Sequence, residues 1–134
     1  MLLIDTNVLL DVLEDDPNWA EWSAQQLRAQ SQVHELFINP VIYAELSLAF
    51  ESVQALDDAI RGLGLLFREL SRPALFLAGR AFVKYRRERG ARSNMLPDFF
   101  IGAQAAVLGC GILTRDARRY HSYFRTVPLI TPDV

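Results

Sequence analysis

The sequence predicts a three-layer α/β/α domain with a mainly parallel central sheet of about four to five strands, and three observations carry that reading. Short apolar runs alternate with longer helical segments along the chain, as in wound α/β domains. Strand following helix following strand implies parallel pairing with helices on both faces of the sheet. No linker, repeat or low-complexity tract interrupts the pattern, so one domain over residues 1–134 is the simplest account.

The elements follow in order. Leu2 to Ile4 reads as a buried strand, and Thr6 or Asn7 is placed to cap a helix running to about Glu14. Asn18 with Glu21 resembles a capping box opening a helix that contains Trp19, Trp22 and Leu27. LFIN at 36–39 predicts a second strand, and Pro40 at a first helical position starts the helix that carries Glu45. A helix from about Ser52 to Arg61 is stopped by Gly62 and Gly64, and Leu65 to Leu70 predicts a third strand. Pro73 opens the longest helix, which ends in YRRERG with Gly90 as its C-cap, before a polar loop from Ala91 to Met95. Pro97 and Asp98 start an almost wholly apolar helix to about Leu108, as a central buried position requires. Gly111 to Leu113 and Leu129 to Thr131 complete the strands.

With 134 residues, of which 51% are hydrophobic, the chain can bury roughly two-thirds of its unfolded surface. Its single cysteine, Cys110, forms no internal disulfide and reads as a small buried residue. A cytoplasmic protein is the default expectation. The N-terminus MLLIDTN lacks the basic start of a signal peptide, and the least polar run, Phe99 to Leu113, is too short and too interrupted to cross a bilayer. The net charge of -2 hides two opposite halves. Residues 1–70 hold 3 arginines against 12 carboxylates, a balance of -9, whereas residues 71–134 hold 11 Lys and Arg against 4 carboxylates, a balance of +7. Such asymmetry suggests a basic surface for a polyanion beside an acidic one.

Four acids stand in otherwise apolar surroundings: Asp5 in LLIDTN, Glu45 in VIYAELSLAF, Asp98 in LPDFFIGA and Asp116 in ILTRD. Carboxylates in such contexts are seldom buried alone. Asp5 and Asp116 lie just beyond predicted strand ends, where wound sheets collect ligands, and Glu45 and Asp98 lie near predicted helix starts. Each has an ordinary alternative, as a helix cap or a half-exposed helix residue. Together in one cleft they would repel by several kcal/mol unless a cation sat among them, and a hard divalent ion prefers oxygen ligands.

LLIDTNVLLD, NPVIYAEL, LPDFFIGAQA and LTRDARRY occur in this order over essentially the whole chain. With these segments the chain resembles the PIN-domain nucleases, specifically the VapC-like toxin ribonucleases of type II toxin–antitoxin modules. The resemblance implies a PIN-like fold and an endoribonuclease site made of Asp5, Glu45, Asp98 and Asp116, with Thr6, Asn7 and Thr114 as hydrogen-bonding support. It implies Mg²⁺ or Mn²⁺ as cofactor, with Asp5 and Asp98 the foremost ligands and Asp116 a third. A bound ion lowers the pKa of a coordinated water, which Glu45 or Asp116 can orient for attack on a phosphodiester. Some relatives carry a further acid near the third motif. Here Phe99 and Phe100 follow Asp98, and the resemblance carries no expectation of a second metal site.

A cognate antitoxin protein and a homodimer are also implied by the resemblance. The helices around Trp19, Trp22, Asp57 and Asp58 suit an antitoxin segment, although the tryptophans are spaced like core residues. For the RNA substrate, KYRRERGARSN supplies Lys84, Arg86, Arg87, Arg89 and Arg92 just before Asp98, and Arg115, Arg118 and Arg119 flank Asp116. Of these, Arg86, Arg87, Arg92 and Arg115 are the expected RNA contacts, able to offset repulsion between RNA and the acids. Tyr85 or Tyr120 can stack on an unpaired base. Rival readings fit less well. A phosphatase using Asp5 as nucleophile would want a carboxylate at position 7, which is Asn, and a receiver domain would want a lysine after its last strand, whereas Lys84 lies in a predicted helix. A catalytically silent PIN-like module that binds RNA or a partner is the remaining alternative.

Overall fold

Five short strands, β1 (Leu2–Ile4), β2 (Leu36–Ile38), β3 (Leu66–Phe67), β4 (Gly111–Leu113) and β5 (Leu129–Ile130), form one sheet in the computed structural model, which describes residues 1–89 and 96–132. Their spatial order is β3-β2-β1-β4-β5, and every neighbouring pair is parallel, with Leu3 opposite both Phe37 and Ile112. β1 is therefore the middle strand, and its three residues are buried, as strands covered on both faces must be.

The helices are α1 (Thr6–Leu13), α2 (Ala20–Ser31), α3 (Pro40–Leu46), α4 (Val53–Gly62), α5 (Arg72–Arg89), α6 (Pro97–Leu108) and the short α7 (Arg118–His121). From β1 the chain steps outward through β2 to β3, then crosses back to β4 and steps the other way to β5. Right-handed crossovers put α1–α4 on one face and send α5 and α6 to the other. Along α6, Phe99, Ile101, Gly102, Ala103, Gln104 and Ala105 are all buried, which accounts for its apolar sequence. Gly102 is required there by the Phe124 ring, which occupies the space a Cβ would need. Gly109 ends the helix with φ +67°, the left-handed conformation that glycine adopts without a Cβ clash.

Several local expectations change. Asp5, rather than Thr6 or Asn7, caps α1: its Oδ1 accepts from Thr6 N–H at 2.8 Å. No capping box forms at Asn18. Asp16 accepts instead from the Asn18 and Trp19 N–H groups at 2.8 and 2.9 Å, so α2 begins at Ala20 with Trp19 as its uncapped first flank. Asn39 ends β2 and caps α3 through Ile42 N–H at 2.9 Å, and Glu45 lies near the end of that helix rather than its start. The third strand shrinks to Leu66–Phe67, both exposed at the sheet edge. An edge strand loses one side of its ladder, and apolar composition alone does not extend it. α5 starts at Arg72, one residue before Pro73, and the last strand stops at Ile130. Gly90, the loop 91–95, Arg92 and the side chain of Arg89 lie outside the described residues.

Candidate active site

Connections leave β1 and β4 in opposite directions, so a crevice opens beyond the carboxyl ends of these neighbouring strands. Asp5 follows β1 directly, and its N–H donates to Leu113 O at 2.9 Å, which pins it against the end of β4. The Asp5 side chain is fully buried. Besides the Thr6 N–H on Oδ1, its Oδ2 accepts from the Thr114 hydroxyl at 2.8 Å and the Tyr120 hydroxyl at 2.9 Å. Three donors replace the water that a buried carboxylate gives up.

Thr6 turns its own hydroxyl outward to donate to Glu45 Oε1 at 2.6 Å, which ties the end of α3 to the start of α1. On the other side Thr114 is a hub. Its oxygen accepts from Asp116 N–H at 3.1 Å and from Asn7 Nδ2 at 3.5 Å, while Asn7 Oδ1 accepts from Arg115 N–H at 3.2 Å. Thr6, Asn7 and Thr114 thus link β1 and the chain after β4 to the acids.

Asp98 enters from the first turn of α6. It caps nothing, because Leu96 is the flanking residue and makes no side-chain cap bond. Burial pushes its carboxyl up to about 6, Arg119 opposes that rise, and the charges of Asp5, Glu45 and Asp116 reinforce it. All four acids therefore act within one local field. Arg119 stands among them, with Nη1 3.3 Å from Asp98 Oδ1 and Nε 3.6 Å from Asp116 Oδ2. Burial works against its charge, but Asp98 and the neighbouring acids hold the guanidinium above its ordinary value. Asp116 Oδ1 also accepts from Arg118 N–H at 3.1 Å.

Among the described residues, no three of the metal-ligating side chains are close enough to enclose an ion by themselves. Asp5, Asp98 and Asp116 are therefore not a closed ligand set: Asp5 already accepts three hydrogen bonds, and Arg119 lies between the other two. The donor chemistry nevertheless fits a hard divalent ion. Every acid offers oxygen, and Mg²⁺ is held in many sites by one or two carboxylates plus water and substrate phosphate.

The expected RNA contacts separate. Arg115 Nε is bonded to Asp11 Oδ2 at 2.7 Å, and its guanidinium lies 5.2 Å from the centre of the Trp19 ring. Asp11 is buried and also accepts from the Ser23 hydroxyl at 2.7 Å. Arg86 and Arg87 are exposed on α5, with Arg86 lying over Phe82. A cleft of about 420 Å³ opens beside Asp98, and among the described residues the arginines that line it are Arg118 and Arg119.

A model of the PIN domain matches residues 2–125. The chain belongs to the PIN domain family. No curated protein matches its sequence; solved structures are similar to it in fold. VapBC2 from Rickettsia felis, bound to a DNA fragment from its promoter, is similar with a TM-score of 0.76 and 14% identity over 98% of each chain. A toxin–antitoxin complex from Klebsiella pneumoniae is similar with a TM-score of 0.69 and 20% identity, also over 98% of each chain. VapBC-1 from nontypeable Haemophilus influenzae is similar at 0.71 and 14% identity, covering 97% of this chain and 96% of that one. At such identities the likeness is one of fold.

Two groups in this PIN domain escape sequence reasoning. Tyr120 does not stack on bases: it is fully buried with its hydroxyl on Asp5, and burial, with the Asp5 charge, holds the phenol far above its ordinary value. It is a neutral donor at every ordinary pH. Asp11 enters the sequence reading only as the last residue of LLIDTNVLLD, and the fold reveals its bond to Arg115.

Proposed function

We propose that this protein is a Mg²⁺- or Mn²⁺-dependent endoribonuclease, the VapC-like toxin of a type II toxin–antitoxin pair. One observation carries the reading: Asp5, Glu45, Asp98 and Asp116, from four separate segments, share one field at the mouth of the β1–β4 crevice. Four carboxylates share this field with Arg119 as the cation between two of them, and proteins rarely gather so many acids unless a further cation offsets their repulsion. The antitoxin partner rests on the structural likeness to toxin–antitoxin complexes.

An ion held through Asp98 and Asp116 beside Asp5 would supply a water of lowered pKa and positive charge next to the phosphate. The remaining work falls to the chain. Glu45, oriented by the Thr6 hydroxyl, accepts the proton of the attacking water. Asp5, held by its three donors, keeps a fixed orientation in the crevice. Arg119, already between Asp98 and Asp116, offers N–H donors to a phosphate oxygen as negative charge builds there. The protein acts on RNA in the cytoplasm, as a homodimer when free of antitoxin. Among the described residues no helix is long and apolar enough to cross a membrane.

The test is cleavage of a mixed cellular RNA pool by purified protein with Mn²⁺, with Mg²⁺, with EDTA, and by the Asp5→Asn and Asp98→Asn variants. Discrete fragments that require both metal and carboxylates, and that disappear on adding antitoxin, are expected. Absence of cleavage from a folded, metal-supplied, antitoxin-free protein overturns the enzymatic reading in favour of a silent binding module.

A further inference from the structure

The cleft beside Asp98 is lined by two unlike kinds of side chain. Tyr85, Phe99 and Tyr123 supply one of them, with ring centres 5.6 Å apart for Tyr85 and Phe99, 6.1 Å for Tyr85 and Tyr123, and 5.9 Å for Phe99 and Tyr123. Arg118, Arg119 and Ser122 supply the other, and Asp98 lies in the same lining. At about 420 Å³ the cleft falls within the roughly 300–1,000 Å³ of small-molecule sites. Because it shares Asp98 and Arg119 with the carboxylate site, whatever fills it lies next to that site. None of the four-acid chemistry uses its aromatic lining.

We propose that this cleft is a base subsite: it receives one unpaired nucleobase of the RNA strand against the Tyr85 and Tyr123 rings while Arg118 and Arg119 hold the adjoining phosphate. The inference rests on the ribonuclease reading above and names what that site selects, an unpaired nucleotide. Three features favour it. Aromatic side chains take bases of any sequence by π contact, and arginine beside them tracks the backbone. The two guanidiniums repel a basic side chain from a protein partner but attract a phosphate. A base held in a duplex stays stacked on its neighbours and cannot enter a cleft at the foot of α6.

Binding measured in EDTA separates this inference from the ribonuclease reading, since it needs no cleavage. The probe is a short fluorescein-labelled single-stranded oligoribonucleotide of mixed sequence, compared with its fully paired duplex by anisotropy. Tyr85→Ala removes part of the aromatic lining, and Ser122→Trp fills the cleft from an exposed position where bulk leaves the core undisturbed. Each variant is expected to weaken single-strand binding by about 10-fold or more, the scale of one lost base contact, and to leave duplex binding within about 2-fold. Equal losses on both probes, or no loss from Ser122→Trp in a protein with unchanged thermal midpoint, overturn the subsite. Unchanged RNA binding with loss of antitoxin inhibition also overturns it, and identifies the cleft as a protein-docking surface. Failure of metal-dependent cleavage, with the base-dependent binding intact, would count against the ribonuclease reading alone.

Discussion

The Tyr120 hydroxyl sits inside the core, 2.9 Å from Asp5 Oδ2, and it shares that oxygen with Thr114. Removing it leaves a buried charge with one donor fewer. Tyr120→Phe is expected to lower unfolding stability by about 1.5–3 kcal/mol, the range for hydrogen bonds to charged groups, as read by urea denaturation. Cleavage should fall as well, in kcat rather than KM, because Asp5 would lose its fixed orientation. Asp98 behaves in the opposite sense. Its carboxyl is pushed up to about 6 from an ordinary 3.8, first by burial. The folded state thus binds more protons than the unfolded one between these values, and stability falls as pH rises through that window. Asp98→Asn should therefore abolish activity yet raise stability by about 1–3 kcal/mol at pH 7 in EDTA. The gain should shrink toward pH 4, as followed by thermal midpoints across that range. The acids were legible because carboxylates in apolar sequence stand out. Tyr120 was not, because a tyrosine in a run of polar and basic residues carries no sign that its ring will be buried.

At the level of elements, the chain after β4 is held by two fastenings on α1: Asn7 with Arg115 N–H, and Asp11 with Arg115 Nε. Both sit one residue before Asp116, so they set where that acid stands. Asp11→Ala is expected to cost about 3–5 kcal/mol, the scale of breaking a largely buried ion pair, and to reduce cleavage even though Asp11 touches no substrate. Rescue of both losses in the double variant Asp11→Leu/Arg115→Met would assign the effect to the unpaired charge. α6 is tied down differently, by direct contact of its Gly102 with the Phe124 ring. Gly102→Ala should displace that ring and destabilise by about 1–3 kcal/mol, as overpacked cores do. Helix starts were readable because Pro40 and Pro97 mark them by backbone geometry alone. The capping at Asp16 and the two-residue β3 were not, since each depends on which tertiary partner is within reach.

For the molecule as a whole, the chain carries opposite charge balances over residues 1–70 and 71–134, and the exposed Arg86, Arg87 and Arg118 belong to the basic part. RNA attraction should therefore be steep in ionic strength. The logarithm of the binding constant is expected to fall linearly with the logarithm of salt concentration, and Arg118→Ala should lower that slope by about 0.7, the contribution of one phosphate contact on a single strand. The layered fold and its parallel sheet were legible from the alternation of elements. The order of the strands was not, since apolar runs do not declare which neighbour they will choose.

That order has a bearing on when the protein becomes active. β1 pairs with β4, and Asp5 meets Thr114 and Tyr120 across 109 and 115 residues of sequence. Contacts so distant along the chain close late, after the loop between them has lost its freedom. On the ribosome, where synthesis runs at about 5–20 residues per second, β1 must wait several seconds for the strand that completes it. Until residue 120 has left the exit tunnel, Asp5 has neither Thr114 nor Tyr120 as a donor and the crevice lacks one of its walls. On the ribonuclease reading proposed above, a nascent chain therefore lacks the completed site while it is still among the RNAs of its birthplace.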